Sequence, residues 1–334
     1  MTITIKDIAR EANVSITTVS MILNNKGDSF SEETRNKVLR LVEEMGYKPN
    51  ALARSLVTKK TKTIGLIVPD ITNPFYTQTA RAIEDVANNK GYSLILCNTD
   101  NDFNKEKKYI KVLKEKYIDG IIFTTSAFIH LDKVREIIGD TPIILLDENV
   151  EADIIHGVFL DNLEGGYEAA KHLLQLGHRR IACVTGPPNT KNAIDRMNGF
   201  KKALKEFEVP FCEDLVYEGN YKLESGIKAV EKFEDKEYSA IFAFNDMMAF
   251  GVYKGLKSKG LKVPDDVSIV GFDNLNLSEI VEPCLTTVAQ PNYEMGTTAA
   301  KMLINIIEDK NLKDNVQIYK PQLIVRGSTK SIEE

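Results

Sequence analysis

The sequence predicts an α-helical headpiece at the N-terminus joined to a larger α/β body of two lobes. Three observations carry this. Residues 1–60 place their apolar positions at helical spacing and contain no strand-like run. From Thr63 onward, short continuous aliphatic runs alternate with amphipathic stretches over more than two hundred residues. At 334 residues the chain is too long for one ordinary core.

In the headpiece, Ile5, Ile8, Ala9 and Ala12 fall on one helical face, and Asn13-Val14 interrupts them. Ser15 is a good N-cap for a second helix, with Ile16, Val19, Ile22 and Leu23 on its inner face. The segment Asn24–Asp28 has turn chemistry, Ser31 caps a third helix, and Gly46 fits its stop. After Pro49, the apolar-rich Asn50–Leu56 runs into the basic stretch Thr58–Lys62, which reads as a linker. The expected division is 1–49 for the headpiece, 50–62 for hinge and linker, and 63–334 for the body.

The body runs TIGLIVP, YSLILC, DGIIF, PIILLD, HGVFL, RIACVTG, SAIFAF and SIVGF are bounded by Gly, Pro and Asp. Strands buried on both faces of a parallel sheet need such runs. Strand–helix alternation on this scale implies right-handed crossovers, and the strand count is too large for one compact sheet. Two lobes leave a cleft between the carboxyl ends of two strand sets, where open α/β folds bind ligands.

Charge and composition narrow the function. The net charge of −5 hides a basic head, with 10 Lys+Arg against 7 Asp+Glu in residues 1–60, on an acidic remainder of 33 against 41. A basic head suits local nucleic-acid contact. No apolar run approaches the ~18–20 residues of a membrane span. The charged N-terminal stretch MTITIKDIAREANVS is unlike a secretory signal, so a cytoplasmic protein with no membrane partner is expected. Cys97, Cys183, Cys212 and Cys284 are widely spaced, and the four histidines lack zinc spacing; reduced, packed thiols and no metal or cofactor are expected. There is no nucleophile elbow, no phosphate-cradling loop and no dinucleotide fingerprint, which argues against an enzyme.

Two short helices around a tight turn make a helix-turn-helix, whose second helix can fill the major groove. Small hydroxyl residues Thr17, Thr18 and Ser20 suit close approach to DNA. The strings TIKDIAREANVSITTVSMILN, YKPNALARSL, TIGLIVPDITNPFY, DGIIF, DNLEGGYEAAKHLLQLGHRRIACVTGP, FAFNDMMAFGVYKGLKSKGLKVPDDVSIVGFDN and LTTVAQP follow in order. They resemble the signature of LacI/GalR transcription repressors along nearly the whole chain. The resemblance implies a periplasmic-binding-protein-like sensor fold, a homodimer on a pseudo-palindromic operator, and a small-molecule effector between the lobes. By position it implies base reading by Ile16, Thr17 and Met21 and phosphate contacts from Ser15, Thr18, Ser20 and Tyr47. Asn50, Ala53 and Leu56 match the hinge helix, with Leu56 as the wedge that kinks the duplex. Met21 departs from the cationic or hydrogen-bonding residue common there.

For the effector, candidates lie after strands: Asn73, Phe75 and Tyr76, then Asn245-Asp246, Asp273-Asn274 and Gln290, with Arg196 and Tyr221 on neighbouring segments. Asn73 and Asp246 also read as turn or cap residues. Asp246 and Asp273 read as ligand acceptors rather than an acid–base pair. The resemblance assigns Asn73, Phe75, Tyr76, Asp147, Arg196, Tyr221, Asn245, Asp273 and Gln290 to the cleft, in a pattern similar to ribose repressors. A neutral polyhydroxylated ligand, ribose or another monosaccharide, is therefore expected. Glu148 departs from the arginine usual in pentose binders. A purine corepressor is the alternative; a phosphorylated carrier protein is another, weakened by Lys301 standing where catabolite control proteins carry arginine.

Overall fold

Apolar runs with no polar alternation must be covered on both faces, and the body builds two such sheets. The computed structural model describes residues 3–24, 30–47, 60–124, 136–137, 139–148, 156–310 and 315–332. The chain divides into two compact units, Met1–Thr61 and Lys62–Glu334.

The first unit contains α1 (Ile5–Ala12), α2 (Ile16–Leu23) and α3 (Glu32–Glu44). Ile8, Ala9, Ala12, Val19, Ile22 and Val38 form its buried core, with Tyr47 packed against it. Asn13 ends α1 in the left-handed conformation, and Ser15 and Ser31 accept hydrogen bonds from the backbone N–H groups of Thr18 and Thr34. Hinge residues Asn50, Ala53 and Leu56 lie outside the described residues.

In the second unit one sheet has the order β11-β5-β4-β3-β1-β2 and the other β12-β10-β9-β8-β6-β7. The first comprises β1 (Thr63–Val68), β2 (Ser93–Asn98), β3 (Gly120–Phe123), β4 (Ile143–Asp147), β5 (Gly157–Leu160) and β11 (Val316–Tyr319). The second comprises β6 (Ile181–Thr185), β7 (Val216–Glu218), β8 (Ala240–Ala243), β9 (Ser268–Asp273), β10 (Thr286–Ala289) and β12 (Gln322–Ile324). All pairings are parallel except β10 with β12. Around the sheets pack α4 (Pro74–Asn89), α5 (Phe103–Glu115), α6 (Asn162–Gln175), α7 (Lys191–Glu206), α8 (Leu223–Lys232), α9 (Asp246–Ser258) and α10 (Asn292–Ile307).

The chain passes between the lobes three times: from β5 to α6, from β10 to α10, and from β11 to β12. The lobes are therefore interleaved rather than consecutive. One sequence reading needs correction. The run YSLILC looks doubly buried, yet β2 is an edge strand with Leu96 45% exposed. All four cysteines are free, with Cys97 and Cys183 buried and Cys212 and Cys284 half-buried.

Candidate functional site

The headpiece presents the exposed N-terminal turn of α2. Ser15, Ile16 and Thr17 are exposed there, and Ile16 corrects the inward placement expected from helical spacing: at the first turn of the helix it leaves 44% of its surface open and stays outside the headpiece core. The Ser15 Oγ accepts from the Thr18 backbone N–H at 3.0 Å and lies 2.8 Å from the Thr18 hydroxyl, which stiffens this turn. Ser20 and Met21 are half-buried one turn further on. The Asn24 side chain holds the Ser20 carbonyl at 2.7 Å, closing the helix. Tyr47 is half-buried against the headpiece core.

In the body, nine predicted positions line one cleft between the two sheets: Asn73, Phe75, Tyr76, Asp147, Arg196, Tyr221, Asn245, Asp273 and Gln290. The cleft holds about 590 Å³, counting its open mouth. Both sheets contribute carboxyl ends of strands: β1 leads into Asn73, β4 ends at Asp147, β8 leads into Asn245, and β9 ends at Asp273.

The aromatic wall comes from Phe75 and Tyr76, edge to face with centroids 5.0 Å apart, and from Tyr221. Tyr221 holds a left-handed φ of 64° against Gly186, where a Cβ would come within 2.1 Å of its ring. Asp147 (φ 72°) and Asp273 (φ 119°) also sit at positive φ, so strained backbone concentrates at this cleft.

Arg196 is 3% exposed and stacks over the Phe272 ring at 3.7 Å. Its Nε donates to the Asn162 Oδ1 at 2.8 Å, and one terminal nitrogen donates to the Phe244 carbonyl. Gly166 lets α6 approach here, since a Cβ would fall 2.1 Å from the Arg196 carbonyl oxygen. Much of the guanidinium's hydrogen bonding is therefore spent inside the protein.

Two of the predicted asparagines do local work as well. Asn73 Oδ1 caps α4 by accepting from Phe75 N–H at 3.0 Å. Asn245 Oδ1 accepts from Met248 N–H at 2.9 Å, and its Nδ2 donates to the Tyr221 carbonyl at 3.0 Å. Asp246 is a correction. It is fully buried behind the cleft, where its two oxygens accept from Thr287 Oγ1 (2.6 Å), Leu275 N–H (2.8 Å) and Ser278 Oγ (2.6 Å). This carboxylate ties α9 to the segments around β9 and β10 and is no ligand acceptor.

The structure lines the cleft also with Glu148, which the sequence marked only as a departure from an arginine, and with Asn192, which the sequence reading left aside. Asn192 Nδ2 donates to Asp147 Oδ1 at 3.0 Å, and Asn192 N–H donates to Glu148 Oε1 at 3.2 Å. Thr190 makes no side-chain cap for α7, so the Glu148 carboxyl caps that helix from the other lobe. Asn192 is four residues before Arg196 on one helical face, a spacing that could have flagged it. Burial pushes the Asp147 carboxyl up to about 6 despite the nearby Arg196 charge and the Asn192 bond. Burial, together with Asp147 beside it, pushes Glu148 up to about 8. Burial also raises Asp273 well above the ordinary carboxylate range. No group of three or more His, Cys, Asp or Glu suited to a metal occurs among the described residues.

A helix-turn-helix head and a polar interlobe cleft together define a ligand-responsive DNA-binding regulator. Residues 4–50 match the bacterial regulatory proteins of the lacI family, and residues 61–325 match the periplasmic binding proteins and sugar binding domain of the LacI family. The chain belongs to the LacI family of bacterial transcriptional regulators. It is 43% identical to the HTH-type transcriptional regulator DegA of Bacillus subtilis, over 98% of each chain. It is 37% identical to the HTH-type transcriptional repressor PurR of Vibrio parahaemolyticus, over 98% of this chain and 99% of the relative. Among solved structures, the lac repressor dimer bound to operator and the anti-inducer ONPF superposes with a TM-score of 0.89 at 26% identity, covering 99% of this chain and 100% of that one. A LacI family regulator from Enterococcus faecium with bound ribose gives 0.76 at 35% identity, over 81% of this chain and 100% of that one. The chain is accordingly a DNA-binding regulator with an effector domain, not an enzyme. Among the described residues no helix is long and apolar enough to cross a membrane.

Proposed function

We propose that this regulator is a repressor whose operator affinity is set by a monosaccharide bound between its lobes. The observation that carries this reading is the convergence of nine residues from both lobes on one cleft. Aromatic faces suit the C–H surfaces of a sugar ring. The uncommitted N–H groups of Arg196, the second oxygen of Asp273 and the unpaired Gln290 oxygen suit its hydroxyls. The ribose-bound relative supports the same class of ligand. The PurR relatives favour a purine as the second reading, since the same faces could stack a base.

In the proposed mechanism, two subunits place two headpieces on a pseudo-palindromic operator through Ile16, Thr17 and Met21, with Ser15, Thr18, Ser20 and Tyr47 at phosphates. Residues 50–62 form the hinge, where Asn50, Ala53 and Leu56 address the minor groove. Ligand changes the angle between the lobes and thereby the stability of the hinge segments on DNA. Linkage makes the effect reciprocal, so operator and effector alter each other's affinity by one factor.

Calorimetry on the full chain with ribose, hexoses, hypoxanthine and guanine tests the ligand class. Arg196→Ala and Asp273→Ala are each expected to weaken the bound ligand by roughly 30-fold or more, because truncation leaves buried partners unpaired. Full-strength binding by both variants refutes the cleft. Binding of purines alone refutes the sugar and keeps the site.

A further inference from the structure

The buried part of the cleft is short of positive charge. Asp147, Glu148 and Asp273 are 4–6% exposed, and Arg196 is the buried cation that faces them among the described residues. That cation is already shared with Asn162 and the Phe244 carbonyl. Lys191, which precedes Asn192 on α7, directs its ammonium to Asp195 at 2.5 Å and away from Glu148. Lys222 and Asp70 lie at the less buried mouth, and Tyr76 and Tyr221 are neutral phenols in the wall.

A second observation points the same way. Gln290 is 7% exposed and lies on the β10–α10 crossover. Its Nε2 donates to Asp273 Oδ1 at 2.6 Å, which turns the amide oxygen the other way. That Oε1 is buried with no hydrogen-bond partner. A buried acceptor without a donor costs free energy until something supplies one. The cleft thus crowds three carboxyls around one committed cation and leaves a buried acceptor unpaired, an arrangement that a ligand bringing donors and a positive charge completes.

Resting on the monosaccharide reading above, we infer that the effector is an amino sugar, whose ammonium group is taken by Glu148 with Asp147 beside it. The inference replaces the neutral ligand expected from sequence. It also gives Glu148 a positive role, in the position where an arginine would instead hold hydroxyl oxygens. The ammonium N–H groups are then taken by the Glu148 and Asp147 carboxyls, and the Gln290 oxygen, Arg196 and Asp273 are left to the ring hydroxyls.

Proton release separates an amine from a neutral sugar. At pH 6.5 Glu148 holds its proton in the unliganded cleft, because burial and Asp147 raise it to about 8. An arriving ammonium favours the carboxylate and expels that proton, whereas a hydroxyl has no reason to. The experiment is calorimetry of the full chain at pH 6.5 in two buffers of different ionisation enthalpy. The probes are D-glucosamine, D-galactosamine, 3-amino-3-deoxy-D-glucose and 2-amino-2-deoxy-D-ribose, each beside its hydroxyl parent. At least one amino sugar is expected to bind tenfold or more tighter than its parent, with close to one proton released. Glu148→Gln is expected to lose both the preference for the amine and the released proton. Should that variant fail to fold, proton release by the natural protein decides alone. Equal or tighter binding of the parents, or amine binding with no proton released, overturns the amine and leaves the sugar reading standing. Failure of every saccharide overturns both.

Discussion

Glu148 should lower the stability of the unliganded protein, and the amount follows from its surroundings. Its carboxyl is 5% exposed, beside Asp147, with the α7 N–H groups as its compensation. Burial and Asp147 together raise it from 4.5 to about 8. Below pH 4.5 both folded and unfolded chains hold the proton, and no penalty exists. Between 4.5 and 8 the unfolded chain releases it while the folded chain does not, so stability falls as pH rises; above 8 the loss is complete. Over the ~2.5 pH units up to neutrality, at about 1.4 kcal/mol per unit, the loss is roughly 3 kcal/mol. Glutamine keeps an oxygen for the Asn192 N–H but cannot ionise. Glu148→Gln should therefore be more stable than the natural protein at pH 7 by up to about 3 kcal/mol, or roughly 5–10 °C in Tm, and equal to it near pH 4.5. Urea titrations of both proteins at pH 5, 7 and 9 measure this. Parallel pH profiles, or a variant less stable at pH 7, would refute the reasoning.

Four further outcomes are expected. Removal of residues 1–61 should abolish specific operator binding in a fluorescence anisotropy assay while leaving effector affinity within a factor of three. Operator binding by the complete chain should also fall steeply with salt as counterions are released. Leu56→Ala should weaken the kinked operator by roughly tenfold more than non-specific DNA, because a wedge acts only on a bent duplex; equal losses would return Leu56 to ordinary packing. Asp246→Ala strands the three donors that its carboxylate holds, Thr287 Oγ1, Leu275 N–H and Ser278 Oγ. The expected cost is about 3–5 kcal/mol by denaturant titration, and a loss below ~1 kcal/mol would contradict the geometry.

Much of this architecture was legible because its signals are local. The caps at Ser15 and Ser31 rest on one hydroxyl and one N–H each, so sequence alone located α2 and α3. Aliphatic runs marked the central strands for the same reason. The short β7, β11 and β12 carried no such signal: they are polar or half-exposed edge strands whose pairing depends on distant segments. The threefold passage between lobes is likewise a long-range property that no window of sequence displays. Asp246 misled because it shares a strand end with Asn245, yet successive helical residues point about 100° apart. One faces the cleft and the other the sheet. Resemblance marked Glu148, but strand pattern alone hid its orientation. Strand alternation would send it away from the face of Asp147, but the positive φ of Asp147 breaks the pleat and turns both carboxyls into the cleft.

That break gives the sensor its lever. Asp147 and Glu148 belong to one lobe, Asn192 to the other, and their hydrogen bonds bridge the lobes before any ligand arrives. Gln290, on a crossover between the lobes, keeps its oxygen unpaired. A ligand that took over the Asp147 and Glu148 oxygens bonded to Asn192 would re-partner the bridge, and its binding and the lobe angle would then form one equilibrium. Only its differential contacts with the two arrangements can shift that equilibrium. A ligand that recovers the ~3 kcal/mol held by Glu148 at neutral pH would have enough to bias the lobes about a hundredfold, within the usual range of allosteric coupling. The variant that most stabilises the free protein should for that reason be the one that responds least to effector.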